Sequence, residues 1–366
     1  LEDMQESFKF CYEVHYQPGE DRSSDPQPPQ EVQALQDKLQ ILDRQRREVL
    51  AQLQQLLGRS ETPPDFLQQE LGAWRERQQR ACPPPPADTH LRPLETWFTP
   101  PGQGLFQLLQ LLRALAALRQ EVTYERDPLG VETPLLEQRL QELLTYLLQS
   151  AFVVPPQPSM PNACKRPLVL RTGSTPPARA RLLVRLHDRN HPMEAPPHID
   201  RSGPPGFRRF NILTSSSKTL LAGDSPQEGL VCDFPPLTLK EQKDSRSGKG
   251  SKGASEGPLA VTEELHFITF TLAYTYRGLK LELETSTLPF VIISNNNQLS
   301  SAWASILWFN MMVSTPPKHP PFFSAPPLAP WSRLAEVLSP PLQSVAERGL
   351  SQEHLLMMAE KLFGEV

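Results

Sequence analysis

From Val32 the apolar positions run Val32, Leu35, Leu39, Leu42, Val49, Leu53 and Leu56, alternating spacings of three and four with Arg46 at the one missing step. Such a heptad predicts a coiled-coil seam. Between Leu105 and Val122, Leu108, Leu112 and Leu115 repeat the spacing, and Leu109, Leu111 and Leu118 widen the stripe. A helix with so broad an apolar face is buried on more than one side. Leu136, Leu140, Leu143 and Leu147 carry the pattern through residues 134–150. With the amphipathic start at 1–17, these segments predict an antiparallel four-helix coiled-coil bundle over 1–150. Proline-rich turns at 18–29, 82–93 and 127–134 are expected to join its helices.

Phe8 and Phe10 lie two residues apart on the first helix, about 200° around its axis, so both cannot enter one narrow seam. One ring is expected to be exposed, as a partner anchor with Asp3 and Glu6 for an acidic rim. Fraying or a second internal contact is the other reading of the same pair.

At 151 the period changes to two. "ARARLLVRL" at 178, "FRRFNIL" at 207, "LTLK" at 237, "TEELHFITFTLAYTY" at 262, "LKLELE" at 279 and "LPFVIIS" at 288 are short β-rich runs separated by Gly, Pro, Asn and Ser. They predict an all-β, antiparallel immunoglobulin-like sandwich over 151–315. The pattern returns to helical in "LSSAWASILWFNMM". Beyond the prolines, "WSRLAEVLS" and "SQEHLLMMAEKLFG" predict two helices of a small α-helical module over 316–366.

Composition supports several domains: the chain has 366 residues and 41.3 kDa, too long for one core. Its 41 prolines are clustered, so they punctuate domains. No run of eighteen apolar residues occurs, and "LEDMQESFKF" has neither a basic n-region nor a cleavage site, so the expectation is a soluble chain that begins inside a helix. Cys11, Cys82, Cys164 and Cys232 are scattered without a C-x-x-C pair, which fits reduced thiols. Cys164 with His187 and His191 matches no zinc spacing.

Charge separates the segments. Lys plus Arg against Asp plus Glu is 15 to 23 in residues 1–150, 18 to 13 in 151–315 and 4 to 5 in 316–366, giving −8, +5 and −1, the stated total of −4. Only the middle segment suits a polyanion. Within it, Lys240, Lys243, Arg246, Lys249 and Lys252 place a cation at every third residue of a stretch rich in Gly and Ser. "DSRSGKGSKGASEGP" is no phosphate-cradling loop: Gly248-Lys249 is followed by Gly250, and Lys243 stands where the first glycine is required. It reads as a basic loop, with Lys249 and Lys252 as candidate phosphate contacts.

No catalytic constellation is present: there is no G-x-S-x-G, no H-E-x-x-H and no Cys beside a His in a glycine-rich turn. Glu263 and Glu264 are adjacent, and on a strand they face opposite sides. The expectation is a non-enzymatic protein that needs no cofactor.

Taken in order, "RPLVLRTG", "RLLVRL", "FNILTSSSKTL", "LTLKEQK", "GPLAVTEELHFITF", "LPFVIISNNNQLSSAWASILWFNMM" and "RGLSQEHLLMMAEKLFG" resemble successive blocks of the STAT family, the signal transducers and activators of transcription. "LETWFT" in the bundle also matches. The resemblance implies a coiled-coil domain, an immunoglobulin-like DNA-binding domain and the start of a helical linker domain. It further implies the core fragment of a latent cytoplasmic transcription factor that shuttles to the nucleus, without the family's N-terminal domain, SH2 domain and tyrosine tail. The wording is nearest to the family's type I interferon branch. That likeness implies an interferon regulatory factor bound to the coiled coil, and pairing with another STAT through domains absent here.

The resemblance also assigns residues. Asn295 falls where STATs bring an asparagine loop to the DNA groove, Lys218 where a lysine approaches phosphates, and Glu264 where a glutamate lies close to DNA. Asn295, Asn296 and Asn297 equally suit a helix cap. The Gly-Ser spacing of 246–257 is looser and the Asn run longer than in the DNA-reading members, so weak contacts with double-stranded DNA are expected. A scaffold whose sandwich never touches nucleic acid is the other reading.

Overall fold

The computed structural model describes residues 1–15, 29–80, 91–155, 157–160, 168–186, 193–200, 207–213, 219–222, 230–234, 237–242, 261–313, 323, 328–346 and 348–364. Lys218, Lys249 and Lys252 lie outside the described residues, as do Cys82, Cys164, His187 and His191. The chain divides into two compact units, Leu1–Phe66 with Pro100–Leu147, and Leu67–Thr99 with Leu148–Val366.

In the first unit four helical segments form the bundle: α1 (Glu2–His15), α2 (Pro29–Arg59), α4 (Leu91–Glu121) from Pro100 onward and α5 (Pro128–Ala151) as far as Leu147. Leu53 and Leu57 of α2, Leu108 and Leu112 of α4, and Leu136 and Leu140 of α5 line one small apolar crevice, so three helices meet there. A fully buried leucine contributes about 1.5–3 kcal/mol. The heptad expectation holds for Leu42 and Leu53, but Leu50 is buried in place of Val49, and Leu57 in place of Leu56, which is 45% exposed. An unsupercoiled helix drifts from a strict seven-residue repeat, and the stripe moves by one position.

Helix boundaries differ from the expected turns. α2 ends at a turn over Ser60 and Glu61, and α3 (Thr62–Arg80) follows with Pro63 and Pro64 in its first turn, where a missing N–H costs nothing. α4 begins at Leu91, well before the periodic leucines, and runs through Pro100 and Pro101. α5 starts at Pro128 and carries Pro134 inside it. Asp127 accepts a hydrogen bond from Leu129 N at 3.0 Å, capping that start.

The second unit is β-rich. One sheet has the order β1-β3-β8-β7-β4, from Phe152–Val153, Ala178–Leu182, Leu230–Phe234, Thr219–Ala222 and Met193–Glu194. A second has the order β11-β10-β5, from Leu279–Ser286, Ile268–Tyr276 and Pro197–Ile199. β6 (Phe210–Ile212) pairs with β9 (Leu239–Glu241), and β12 (Val291–Ile293) pairs with β2 (Val169–Arg171). The β10–β11 hairpin turns on Arg277 and Gly278, both at positive φ (45° and 82°), the two-residue geometry whose twist matches its strands.

Two strand expectations are corrected. The β2–β12 pair is parallel rather than antiparallel; most of the domain lies between its strands, which supplies the long crossover a parallel pair requires. Residues 262–267 are not strand: Val261–Glu263 form a 3₁₀ turn and His266 makes an isolated bridge to Phe290, so Glu263 and Glu264 do not alternate across a sheet. Helices α6 (Leu299–Met312), α7 (Trp331–Ala346) and α8 (Gln352–Phe363) follow, and Arg333 of α7 donates to the Met311 carbonyl of α6 at 2.9 Å.

Candidate functional site

β12 ends at Ile293, and the chain turns through Ser294–Gln298 before α6. Asn295 sits at φ −134°, ψ 147° and its side-chain oxygen accepts from Asn297 N at 3.3 Å. Gln298 Oε1 accepts from Ser294 N at 2.9 Å and Asn295 N at 3.1 Å. This reciprocal capping box fixes the turn and leaves Ser294, Asn295, Asn296 and Asn297 exposed. Asn295 is therefore both a cap, through its oxygen, and a presented amide. Arg171, exposed at the end of β2, stands beside Ile293 in the parallel register, and Thr172 N donates to the Ile293 carbonyl at 2.9 Å.

A chain of charged groups, buried at Glu264 and His266 and part-buried at its ends, underlies the turn. Arg208 Nη1 donates to Ser294 Oγ at 3.1 Å, Nη2 donates to the Ile292 carbonyl, and Nε donates to Glu264 Oε2 at 2.6 Å. Its guanidinium lies 5.4 Å from the Phe210 ring. Behind Glu264 is His266, fully buried, with Nδ1 2.6 Å from Asp200 Oδ2. His266 Nε2 lies 3.7 Å from Glu264 Oε2, a charge contact longer than a hydrogen bond. Phe207 and Phe210 meet the imidazole edge-on, at 6.1 and 5.2 Å between centroids.

Ionisation follows this geometry. Burial pushes the Glu264 carboxyl up, but His266 and Arg208 outweigh it and hold it below the usual 4.5. Burial likewise disfavours a charged His266, yet Asp200 and Glu264 prevail and hold it above the usual 6.5.

Among the residues the sequence singled out, Asn295 is exposed on its turn. Glu264 is not: its side chain is 8% exposed and engaged by Arg208, so it lies under the turn rather than at the surface. Arg171, Arg208 and His266 were not singled out. Arg171 carried one usable signal, a cation directly after the buried "LVL". The partners of Arg208 are 56 to 86 residues away, and no local pattern betrays them.

On α1, Phe10 is 70% exposed, and Asp3 and Glu6 are exposed two turns and one turn before it. Phe8 is half-buried and stacks on Tyr12 with centroids 6.4 Å apart. Gln5, on the opposite face, is buried and donates to the Leu118 carbonyl at 2.8 Å.

A helical bundle, a β-rich domain with a presented asparagine turn, and a helical C-terminal module thus follow one another along the chain. Three family models match in the same order: "STAT transcription factor, coiled-coil domain" over residues 1–144, "STAT protein, DNA binding domain" over 156–293, and "Signal transducer and activator of transcription, linker domain" over 316–366. The chain is 36% identical over 364 residues to signal transducer and activator of transcription 4 of Homo sapiens, covering 99% of this chain and 48% of that protein. It is also 36% identical over 365 residues to the Mus musculus protein of that name, with coverage of 99% and 48%. The chain belongs to the STAT family, and it spans about half the length of these curated relatives.

Proposed function

We propose that this chain is the core of a latent cytoplasmic transcription factor of type I interferon signalling, corresponding to the second STAT, with no enzymatic step of its own. The wording of "LLVRL", "FNILTS", "SGKGS" and "TLPFVIISN" supports that member. In this reading the protein shuttles to the nucleus and pairs with another STAT through regions beyond this chain. The bundle recruits an interferon regulatory factor through one ring of the Phe8 and Phe10 pair, the exposed Phe10, with Asp3 and Glu6 as its acidic rim, and the β-rich domain adds weak contacts to double-stranded DNA. The proposed domain limits are 1–150, 151–315 and 316–366.

The observation that carries the DNA reading is the Ser294–Gln298 turn, held from beneath by Arg208 with the Asn295 side chain exposed and Arg171 beside it. Amides can hydrogen-bond base edges, and the cations Arg171, Lys218, Lys249 and Lys252 suit phosphates. The test is a salt titration of duplex binding by the 366-residue chain, alone and with the regulatory factor. Each neutralised phosphate contributes about −0.9 to the slope of log K against log salt. Replacing Lys249 and Lys252 by Ala is expected to flatten the slope with sequence preference retained. A slope that does not change removes this loop from the interface, and absence of duplex binding with the partner present favours a pure scaffold.

A further inference from the structure

The turn that presents Asn295 is capped from within by Gln298 and tied from beneath by Arg208, whose three nitrogens reach Ser294, Ile292 and Glu264. Glu264 is the one charged acceptor of the three, so where its carboxylate lies sets the angle at which the guanidinium approaches Ser294 and Ile292. Glu264 shares its buried surroundings with a second carboxylate, Asp200, and His266 stands between the two, 2.6 Å from Asp200 and 3.7 Å from Glu264. With a proton on Nδ1 alone, the ring donates to Asp200 and aims the Nε2 lone pair at the Glu264 carboxylate, which is repulsive. With both nitrogens protonated, Nε2 turns an N–H toward Glu264 and the alternation of charge is complete: Asp200, His266, Glu264, Arg208.

We propose that His266 is a positioning residue for the DNA-facing turn: as an imidazolium it spans Asp200 and Glu264, keeps Glu264 engaged with Arg208, and so holds Arg208 against Ser294 and Ile292. Its loss of charge on alkalinisation loosens the turn and lowers sequence discrimination. This proposal rests on the assignment of Asn295 to the DNA groove. The charged groups around the ring among the described residues are Asp200, at the end of β5, Glu264 and, beyond it, Arg208 ahead of β6; Phe207, Phe210 and Phe290 pack against the rest. The raised ionisation of His266 agrees with the geometry. Asp200 sits at φ 46°, a conformation Asn also tolerates, so Asp200→Asn keeps the backbone and an acceptor for Nδ1–H while removing the charge.

The experiment follows the His266 imidazole and the Ser294 and Asn295 amides by NMR across pH in the 366-residue chain. In parallel, anisotropy compares a duplex selected by this chain from a random pool with its scrambled counterpart. The imidazole is expected to titrate above 6.5, the two amides to shift at the same midpoint, and the discrimination ratio to fall about fivefold or more across it. In Asp200→Asn all three midpoints move down together, because the carboxylate that favours the imidazolium is gone, and His266→Gln abolishes the step. Amides that stay still while His266 titrates, or a midpoint unmoved in Asp200→Asn, overturn the proposal. Should the chain discriminate at no pH, Asn295 is removed from base readout, and the amide shifts alone decide whether His266 positions the turn. If His266→Gln fails to fold, the Asp200→Asn comparison still decides.

Discussion

The guanidinium of Arg46 meets the carboxylate of Asp127 at 3.0 Å inside the helical bundle, with 0% and 4% of the two side chains exposed. Arg46 Nη2 also donates to Gln5 Oε1 at 2.7 Å and to the Val122 carbonyl at 3.2 Å, so one side chain ties α1, α2 and the end of α4. Removing Arg46 leaves Asp127 only the longer contact to the half-exposed Arg119, at 3.4 Å, and Arg46→Ala is expected to cost about 3 kcal/mol in urea unfolding, the low end for a broken buried pair. Because Gln5 loses its donor, amide protection of α1 measured by hydrogen exchange should fall more than that of α5.

Arg46 also shows how far the sequence could be read. The heptad marked it as the one interruption of an apolar seam, and it does occupy a buried seam position. Periodicity reports which face is covered; it cannot report a partner from the turn before α5, because that contact is closed by tertiary structure. The same limit hid Arg181. In "ARARL" alternation places Arg179 and Arg181 on the face opposite Ala178, Ala180 and Leu182, which reads as a solvent face. Arg181 is instead buried against Glu95 of α4, with both nitrogen–oxygen distances at 2.8 Å. The start of α4 was itself obscured, since Pro100 and Pro101 read as a break. At the candidate site the Asn run and the change of period marked the strand-to-helix turn, and the family resemblance singled out Asn295 on it. The layer beneath it, Arg208, Glu264, His266 and Asp200, joins three separated segments and leaves no spacing to find; Glu264 was named through the resemblance, but its partners were not.

Asn295 has two separable jobs, and Asn295→Asp divides them. Aspartate caps as well as asparagine, so the Asn297 N–H keeps its acceptor and the melting temperature should change little. The amide donor is lost and a negative charge is added near the duplex. A good base-edge contact contributes about 1–3 kcal/mol of discrimination, so the preference for a selected over a random duplex should collapse. Asn295→Ala loses the cap too, costing about 1 kcal/mol of stability. Equal losses on both duplexes for Asn295→Ala would make the residue a cap or phosphate contact only.

The β-rich domain should be most stable between two titrations. His266 is held above 6.5 when folded, so its contribution is fully present below pH 6.5 and is lost as pH rises through the folded value. Glu264 is held below 4.5 when folded, so its contribution is present above pH 4.5 and is lost as pH falls through the folded value. A plateau between about pH 4.5 and 6.5 is expected in the urea midpoint reported by tryptophan or hydrogen exchange within this domain. His266→Gln should flatten the alkaline limb and leave part of the acid limb, which Arg208 maintains through Glu264. A midpoint that keeps rising above pH 7 would contradict this assignment.

Phe10 is the residue on which partner recognition by the bundle is expected to turn. Gln5 and the half-buried Phe8 face inward on α1, which leaves Phe10 on the opposite face with Asp3 and Glu6 in line with it. A large ring with 70% of its surface in water gains little in the free protein and much in a pocket, and the two carboxylates suit a basic groove around that pocket. Truncating such an anchor typically costs about 2 kcal/mol or more, which corresponds to about thirtyfold in affinity. Phe10→Ala is therefore expected to weaken binding of an interferon regulatory factor by at least about thirtyfold in calorimetry, with the melting temperature nearly unchanged. Phe8→Ala removes a ring stacked on Tyr12, and it should destabilise α1 while binding by the folded fraction persists. If Phe10→Ala unfolds the bundle and Phe8→Ala abolishes only binding, the two roles must be exchanged. If neither change affects binding, the partner surface lies elsewhere on the bundle.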